Sequence, residues 1–423
     1  MEKQTVKTVL PNGVRLVSQH MPHTRSVAMG VWVNVGARDE ADAESGLSHL
    51  IEHMIFKGTS RRSAFQIAKE FDAIGGHTNA FTTMETTCYH AKVLDSQVDT
   101  MVDILADIFF NSVFDPGELE RERPVILQEI GMVEDSPDEY IHHLAGRNFW
   151  GEHPLGRSIL GTPETLAGFG SEDIRRFFCR LYQPERIVVA AAGNLPHERL
   201  VEMVAPAFAA ARPGNGFPER TPPPERRLVS VHARDLEQVH ICLATGGLSV
   251  TDPRRYALSL LNTLLGGNMS SRLFQEIREK RGLAYAVYSF VSAHVDTGMF
   301  GVYAAVAPGQ VLETVALIAS ELRRAAREPV DPVELKNAIE YTRGNLLLAT
   351  ESADNQMVRA AQNEIHFGRE IPIAAVIDDI AAVTPEDVLQ LAGELFRPER
   401  MVLSLLGPVD LPQAQLEQCL SDV

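Results

Sequence analysis

The sequence predicts an α+β protein made of two homologous, duplicated domains, each a mostly antiparallel sheet with helices packed on one face. Three observations carry this: segments that return at a nearly constant spacing, alternating apolar patterns that open both halves, and amphipathic helices in the same order in each. The repeat is the firmest. DPGEL at 115–119 returns as DPVEL at 331–335, a shift of 216 residues. QPERIVVAAAG at 183–193 is answered by RPERMVLSLLG at 397–407, a shift of 214. Each PER block follows an amphipathic helix, SEDIRRFFCRLY in one half and PEDVLQLAGELF in the other. One such match arises by chance; two at nearly the same offset indicate tandem duplication.

The element order agrees. SVAMGVWVNVG at 26–36 and QVHICLATGG at 238–247 alternate with the period of a strand. In each half a helix follows, then further strands, then long helices, and an apolar strand closes the half after its PER block. Strands that alternate in antiparallel fashion among helices point to helices laid on a sheet. Between the halves, residues 211–227 read ARPGNGFPERTPPPERR, a proline- and glycine-rich, semi-extended linker. The expected domains are therefore 1–210, which holds the candidate site, and 228–423, its homologous copy.

Composition narrows the function classes. The 423 residues are 45% hydrophobic and 22% charged, ordinary for a globular chain able to build cores. Net charge is −17, which argues against a nucleic-acid partner, since phosphate recognition needs a basic footprint. The acidic balance suits cationic peptides, and also plain solubility. No run approaches the ~18–20 apolar residues of a membrane span. The opening MEKQTVKTVLPNG lacks the apolar core of a signal peptide, so a cytoplasmic location, or a mature form already trimmed of a leader, is expected. Cys88, Cys179, Cys242 and Cys419 lie far apart without CxxC spacing, as free thiols in a reducing compartment would.

The chemistry gathers in GLSHLIEHMIFKGT, which has helical apolar spacing. His49 and His53, four residues apart, lie about 40° from each other around a helix, so both imidazoles reach one ion. Glu52 falls within about 100° of arc on the same face. A lone histidine on a half-buried helix is ordinarily a packed core residue; the combined H-x-x-E-H pattern is a zinc-site signature. Imidazoles with one carboxylate suit zinc, with an open position left for water. RERPVILQEIGMVEDSPDE offers the carboxylate: Glu122 and Glu129 stand two turns apart on one helix face, which taken alone reads as a solvated face. Turned to the ion, one of them would complete a His₂Glu set and the other would support it from outside.

The HLIEH block, with Glu129 placed 76 residues beyond His53, resembles the pitrilysin-type inverzincin metallopeptidases. That superfamily includes insulin-degrading enzyme and the mitochondrial processing peptidase, and the likeness is greatest to short, single-chain bacterial relatives of the latter. It spans nearly the whole chain, through LPNGVRLV, GGHTNAFTTMETTCYH, GGNMSSRLFQEIREKRGLAYAVYS and both PER blocks. The resemblance implies one Zn²⁺ per chain held by His49, His53 and Glu129, Glu52 as general base, and Glu122 as an outer carboxylate. It further implies that Asn79 and Ala80 on an edge strand align the substrate backbone, and that Arg278 and Tyr285 bind substrate and the developing oxyanion. The implied activity is zinc-dependent endopeptidase cleavage of unfolded peptides or extended precursor segments, in a chamber enclosed by a homodimer. The alternative is a non-catalytic scaffold subunit, which would lack part of the ligand set.

The second half does not repeat the metal site: Asn345 stands where the offset places Glu129, and YALSLLNTLLGG replaces the HxxEH stretch without histidine or acid. Glu134, Asp135, Asp138 and Glu139 form an acidic cluster just beyond the third ligand. It reads either as a selector of basic residues or as a solvated helix end.

Overall fold

The computed structural model describes residues 5–214 and 216–421. The first sheet comprises β1 (Val6–Val9), β2 (Arg15–His20), β3 (Ser26–Val33), β4 (His77–Thr82), β5 (Thr87–Leu94) and β6 (Ile187–Gly193), in the order β1-β2-β6-β3-β5-β4. Only β2 and β6 run parallel. The second contains β7 (Leu228–Ala233), β8 (Val239–Gly246), β9 (Ala284–Ala293), β10 (Gly298–Val306) and β11 (Val402–Gly407), ordered β7-β11-β8-β10-β9 with only β7 and β11 parallel. Strand for strand this is the first layout without its β1 edge, so the duplication written in the sequence is a duplication of topology. The PER blocks form short 3₁₀ turns, Pro184–Arg186 and Pro398–Arg400, that deliver the chain into the buried strands β6 and β11.

Alternation explains how each sheet carries two cores. Along β3, Val27, Met29, Val31 and Val33 join the main core, while Ala28 and Trp32 point to the opposite face. On the main face the helices Leu47–Met54, Val98–Asn111, Ser171–Leu181 and His197–Phe208 contribute Leu50, Ile51, Met101, Ile104, Leu105, Phe177 and Leu200. Among the described residues the opposite face is closed by one helix, Ala353–Phe367, which packs on β2, β3 and β6. Its Ala353, Met357, Ala360 and Ala361 follow helical spacing and bury Val17, Trp32, Cys88, Val188 and Ala190.

That helix comes from the other half of the sequence. The chain packs as two compact units, one formed by residues up to 130, 157–219 and 347–372, the other by 131–156, 220–346 and 373 onward. In the second unit the equivalent helix is Pro137–Trp150, whose Ile141, Leu144 and Ala145 pack with Cys242, Tyr303, Ala305 and Leu406 beneath β7, β8 and β11. Its first residue, Pro137, lies 216 residues before Ala353, the duplication offset itself. Each half thus lends one helix to the sheet of the other, and the units are discontinuous in sequence. Among the described residues no helix or strand lies between Phe208 and Leu228, the stretch that contains the proline-rich linker.

Met357→Ala should therefore destabilise the first unit by about 2–5 kcal/mol, as large-to-small core changes do. Hydrogen exchange should show lost protection in β2, β3 and β6, with β7, β8 and β11 unchanged. Equal loss across both sheets would mean that the two units unfold as one.

Candidate metal centre

The site is built on a helix of only eight residues, Leu47–Met54. Leu47, Leu50, Ile51 and Met54 repeat at i, i+3, i+4 and i+7 and are buried in the core. That stripe leaves the remaining arc to His49, Glu52 and His53. Gly46 precedes the helix with φ +98°, and a Cβ there would come within 2.9 Å of the Gly161 backbone, so the entry turn requires glycine. With no side chain at the cap, the helix amides look elsewhere: Gly46 N–H and Ser48 N–H donate to the two oxygens of buried Glu40, at 2.8 and 2.7 Å.

The helix Pro116–Asp135 brings up both carboxylates. Glu129 Oε2 lies 3.6 Å from His49 Nε2 and 3.6 Å from His53 Nε2. One donor atom from each of these three residues falls within 4.8 Å of the others, and this is the one such histidine, cysteine and carboxylate cluster among the described residues. One turn before Ile126 on the same helix, Glu122 is buried. Its Oε1 accepts from His53 Nδ1 at 2.9 Å and its Oε2 pairs with Lys57 Nζ at 2.5 Å. This fixes the His53 tautomer with its proton on Nδ1, leaving Nε2 as a lone-pair donor.

These donors fit zinc. A tetrahedral centre with bonds of about 2.1 Å has edges of about 3.4 Å, close to the two carboxylate–imidazole separations found here. His49 Nδ1 and Glu52 Oε2 are buried without a protein partner. Unsatisfied buried polar atoms are costly, and sites that keep them are functional candidates. Burial, seconded by the neighbouring His53, lowers the His49 pKa to about 4, so the imidazole stays neutral and ready to ligate. Burial also raises Glu52 above the usual carboxylate range, with Thr82 and His53 opposing and Glu129 reinforcing it. Burial pushes Glu122 upward as well, but the Lys57 and His53 hydrogen bonds together outweigh it and hold the group below its ordinary value.

Asn79 and Ala80 lie on β4, the edge of the first sheet, paired on one side with His90 and Tyr89 of β5. Asn79 is exposed, and its side chain accepts from the Ala80 amide at 2.8 Å. In the second unit the Arg278 guanidinium lies over the Tyr285 ring at 4.8 Å, and Tyr285, on the edge strand β9, is 80% exposed. Arg278 and Tyr285 are thus brought together with each other; they belong to a different unit from the metal cluster. The acidic cluster brackets the break between helices Pro116–Asp135 and Pro137–Trp150. There Ser136 Oγ donates to Asp138, and Arg234 meets Asp135 at 3.7 Å, so part of the cluster's charge is already engaged.

Two supporting residues went unnoticed in the sequence. Lys57 lies three residues past the helix end at Met54, in a bend, so helical spacing does not mark it as a partner of Glu122. Glu40 sits in the acid-rich GARDEADAESG, which looks solvated, and nothing in its spacing marks it as buried.

Residues 15–163 match the family described as Insulinase (Peptidase family M16), and 169–341 match the Peptidase M16 inactive domain. Over 416 residues the chain is 40% identical to an uncharacterized zinc protease of Streptomyces coelicolor, covering 96% of this chain and 90% of the relative. The chain belongs to the insulinase family, peptidase family M16. A second relative, an uncharacterized zinc protease of Bacillus subtilis, is 42% identical over 400 residues, covering 94% of this chain and 97% of its own. The fold is similar to that of a protease from Helicobacter pylori, with a TM-score of 0.91 at 21% identity over 96% of this chain and all of that one. It is also similar to a peptidase M16 inactive domain structure from Pseudomonas fluorescens, with a TM-score of 0.89 at 19% identity over 96% of this chain and all of that one. The inactive-domain match includes the helix Arg255–Gly266, which carries neither histidine nor acid.

Purified protein should bind about one zinc per chain, the ratio a single three-residue ligand set sets. Glu129→Gln should weaken retention, and the His49→Ala, His53→Ala double variant should abolish it. Unchanged zinc content in the double variant, measured by mass spectrometry of the metal, would refute the assignment.

Proposed function

We propose that this insulinase-family chain is a zinc-dependent endopeptidase that cuts unfolded peptides or extended precursor segments, with Glu52 as general base. The observation that carries the reading is the convergence of His49, His53 and Glu129 beside the buried, unpartnered Glu52 oxygen. The relatives' name, zinc protease, agrees with it. Bound zinc would supply Lewis acidity for water and for the scissile carbonyl. Glu52, whose proton affinity is raised by burial, takes the proton of the attacking water and hands it to the leaving amine. Glu122 and Lys57 hold the His53 ring in place. The free edge of β4 receives the substrate as an added strand, with Asn79 and Ala80 in register, so that main-chain bonds give affinity and side-chain pockets give selectivity. Arg278 and Tyr285 provide donors for the oxyanion. Two copies of the chain form the enclosing chamber, the default closed arrangement being a two-fold dimer.

Glu52→Gln should retain zinc and peptide while losing at least about 10²–10⁴-fold in kcat, the usual range for a removed acid–base group. Loss of metal together with activity would make Glu52 a ligand and replace this mechanism.

The dimer places Arg278 and Tyr285 of one copy at the zinc of the other. Mixing Glu52→Gln with Arg278→Ala under exchange makes about half the dimers mixed, and each mixed dimer then holds one intact site, so about a quarter of all sites should recover. Activity that stays flat, with exchange confirmed by mass-tagged subunits, would exclude completion between copies and leave the metal chemistry intact.

A further inference from the structure

We propose that Glu40 is a positioning residue for the metal centre: its carboxylate caps the helix that carries His49 and His53 and ties that helix to the hairpin bearing β4. The inference rests on the metal reading above and concerns a residue that lies outside the HxxEH signature.

The helix Leu47–Met54 is short, so the amides of its first turn are a large share of its backbone hydrogen bonding. Its Gly46 cap offers no side-chain acceptor. Glu40 fills that role from six residues upstream, one oxygen to Gly46 N–H and the other to Ser48 N–H, the amide next to His49. Glu40 is 4% exposed, so it does not share these bonds with bulk water.

Glu40 is itself held from both sides. Its carbonyl accepts from Arg157 Nη1 at 2.8 Å, and Arg157 also pairs with Asp42. Immediately before it, the turn Ala37–Asp39 is fastened to the loop between β4 and β5: Ala37 N–H donates to Thr83 O at 3.1 Å and Arg38 N–H to Met84 O at 2.8 Å. The Arg38 side chain is buried and pairs with buried Glu85 at 2.6 Å. Gly36 lies so close to this loop that a Cβ would come within 2.3 Å of Thr83 O. Residues 36–48 therefore form a strap, running from the turn that closes the edge hairpin to the first turn of the metal helix. Through it, the height of His49 is referenced to the strand that carries Asn79 and Ala80. The requirement is strict, because a ligand displaced by a fraction of an ångström no longer meets the short bonds of zinc.

The test uses the full chain and zinc itself. Glu40→Ala should raise the zinc dissociation constant, measured by chelator competition, about 10–100-fold, the range typical of residues that orient ligands from outside. Glu40→Gln, which keeps the shape and one acceptor, should fall between Glu40→Ala and the parent chain. It also serves if the alanine variant folds poorly. Leu200→Ala, in the same core but outside the strap, is the control for stability: it should lower the unfolding temperature and leave zinc affinity within about twofold. Equal loss of affinity in Glu40→Gln and Leu200→Ala would reduce Glu40 to a structural residue and overturn the proposal, as would unchanged affinity in both Glu40 variants. Amide exchange at Gly46 and Ser48 in metal-free protein separates this from the metal reading. If the parent chain takes up no zinc, the metal reading fails. Exchange that is faster in Glu40→Gln then still supports the cap, and unchanged exchange overturns it.

Discussion

The burial of Leu47, Leu50, Ile51 and Met54 is the interaction on which the candidate site depends. A helix this short has little intrinsic stability, and its place is set by the apolar stripe pressed into the first core. Because that stripe fixes the rotation of the helix, it also fixes where the complementary arc points, and His49, Glu52 and His53 occupy that arc. The polar chemistry is thus a by-product of where the apolar residues go. What burial does not fix is translation along the helix axis. The two carboxylates at its ends, Glu40 at the first turn and Glu122 on the His53 ring, supply that constraint.

Those same contacts organise the charges. Glu52 and Glu122 both experience burial that favours the neutral form, and their local partners decide the outcome differently. Lys57 and His53 hold Glu122 below its ordinary value, which suits a group that accepts a hydrogen bond from a ring N–H. At Glu52 burial prevails over Thr82 and His53 and leaves a raised proton affinity, in keeping with the base role proposed for it. Two acids on neighbouring helices are thus set apart by their partners, Glu122 held low and Glu52 raised.

Much of this was legible in the sequence. The repeat was visible as two matching blocks, and it foretold two sheets of one topology because homologous segments fold alike. The HxxEH pattern and the Glu122–Glu129 spacing were visible because helical periodicity converts directly into shared faces. The destination of PDEYIHHLAGRNFW and ADNQMVRAAQNEIHF was not visible. Amphipathic spacing tells that a helix buries one side and says nothing of which sheet it buries it against, so the exchange of helices between halves had no local trace. Glu40 escaped for a related reason. Its burial arises from contacts with residues 46–48 and 157, and within GARDEADAESG it is indistinguishable from its solvated neighbours.

The exchanged helices bear on how the protein is made. During synthesis the last strand of the first sheet, β6, ends at Gly193, yet the helix that covers its second face begins at Ala353. At about 5–20 residues per second, the ribosome needs roughly 10–30 s to supply it. Throughout that interval Val17, Trp32, Val188 and Ala190 have no native cover, although the metal-binding side of the same sheet is already encoded in the emerged chain. The nascent first half therefore presents an uncovered apolar sheet face while the residues of its candidate site have all emerged. Gene duplication gave the chain two similar domains, but the crossed helices keep either one from maturing alone.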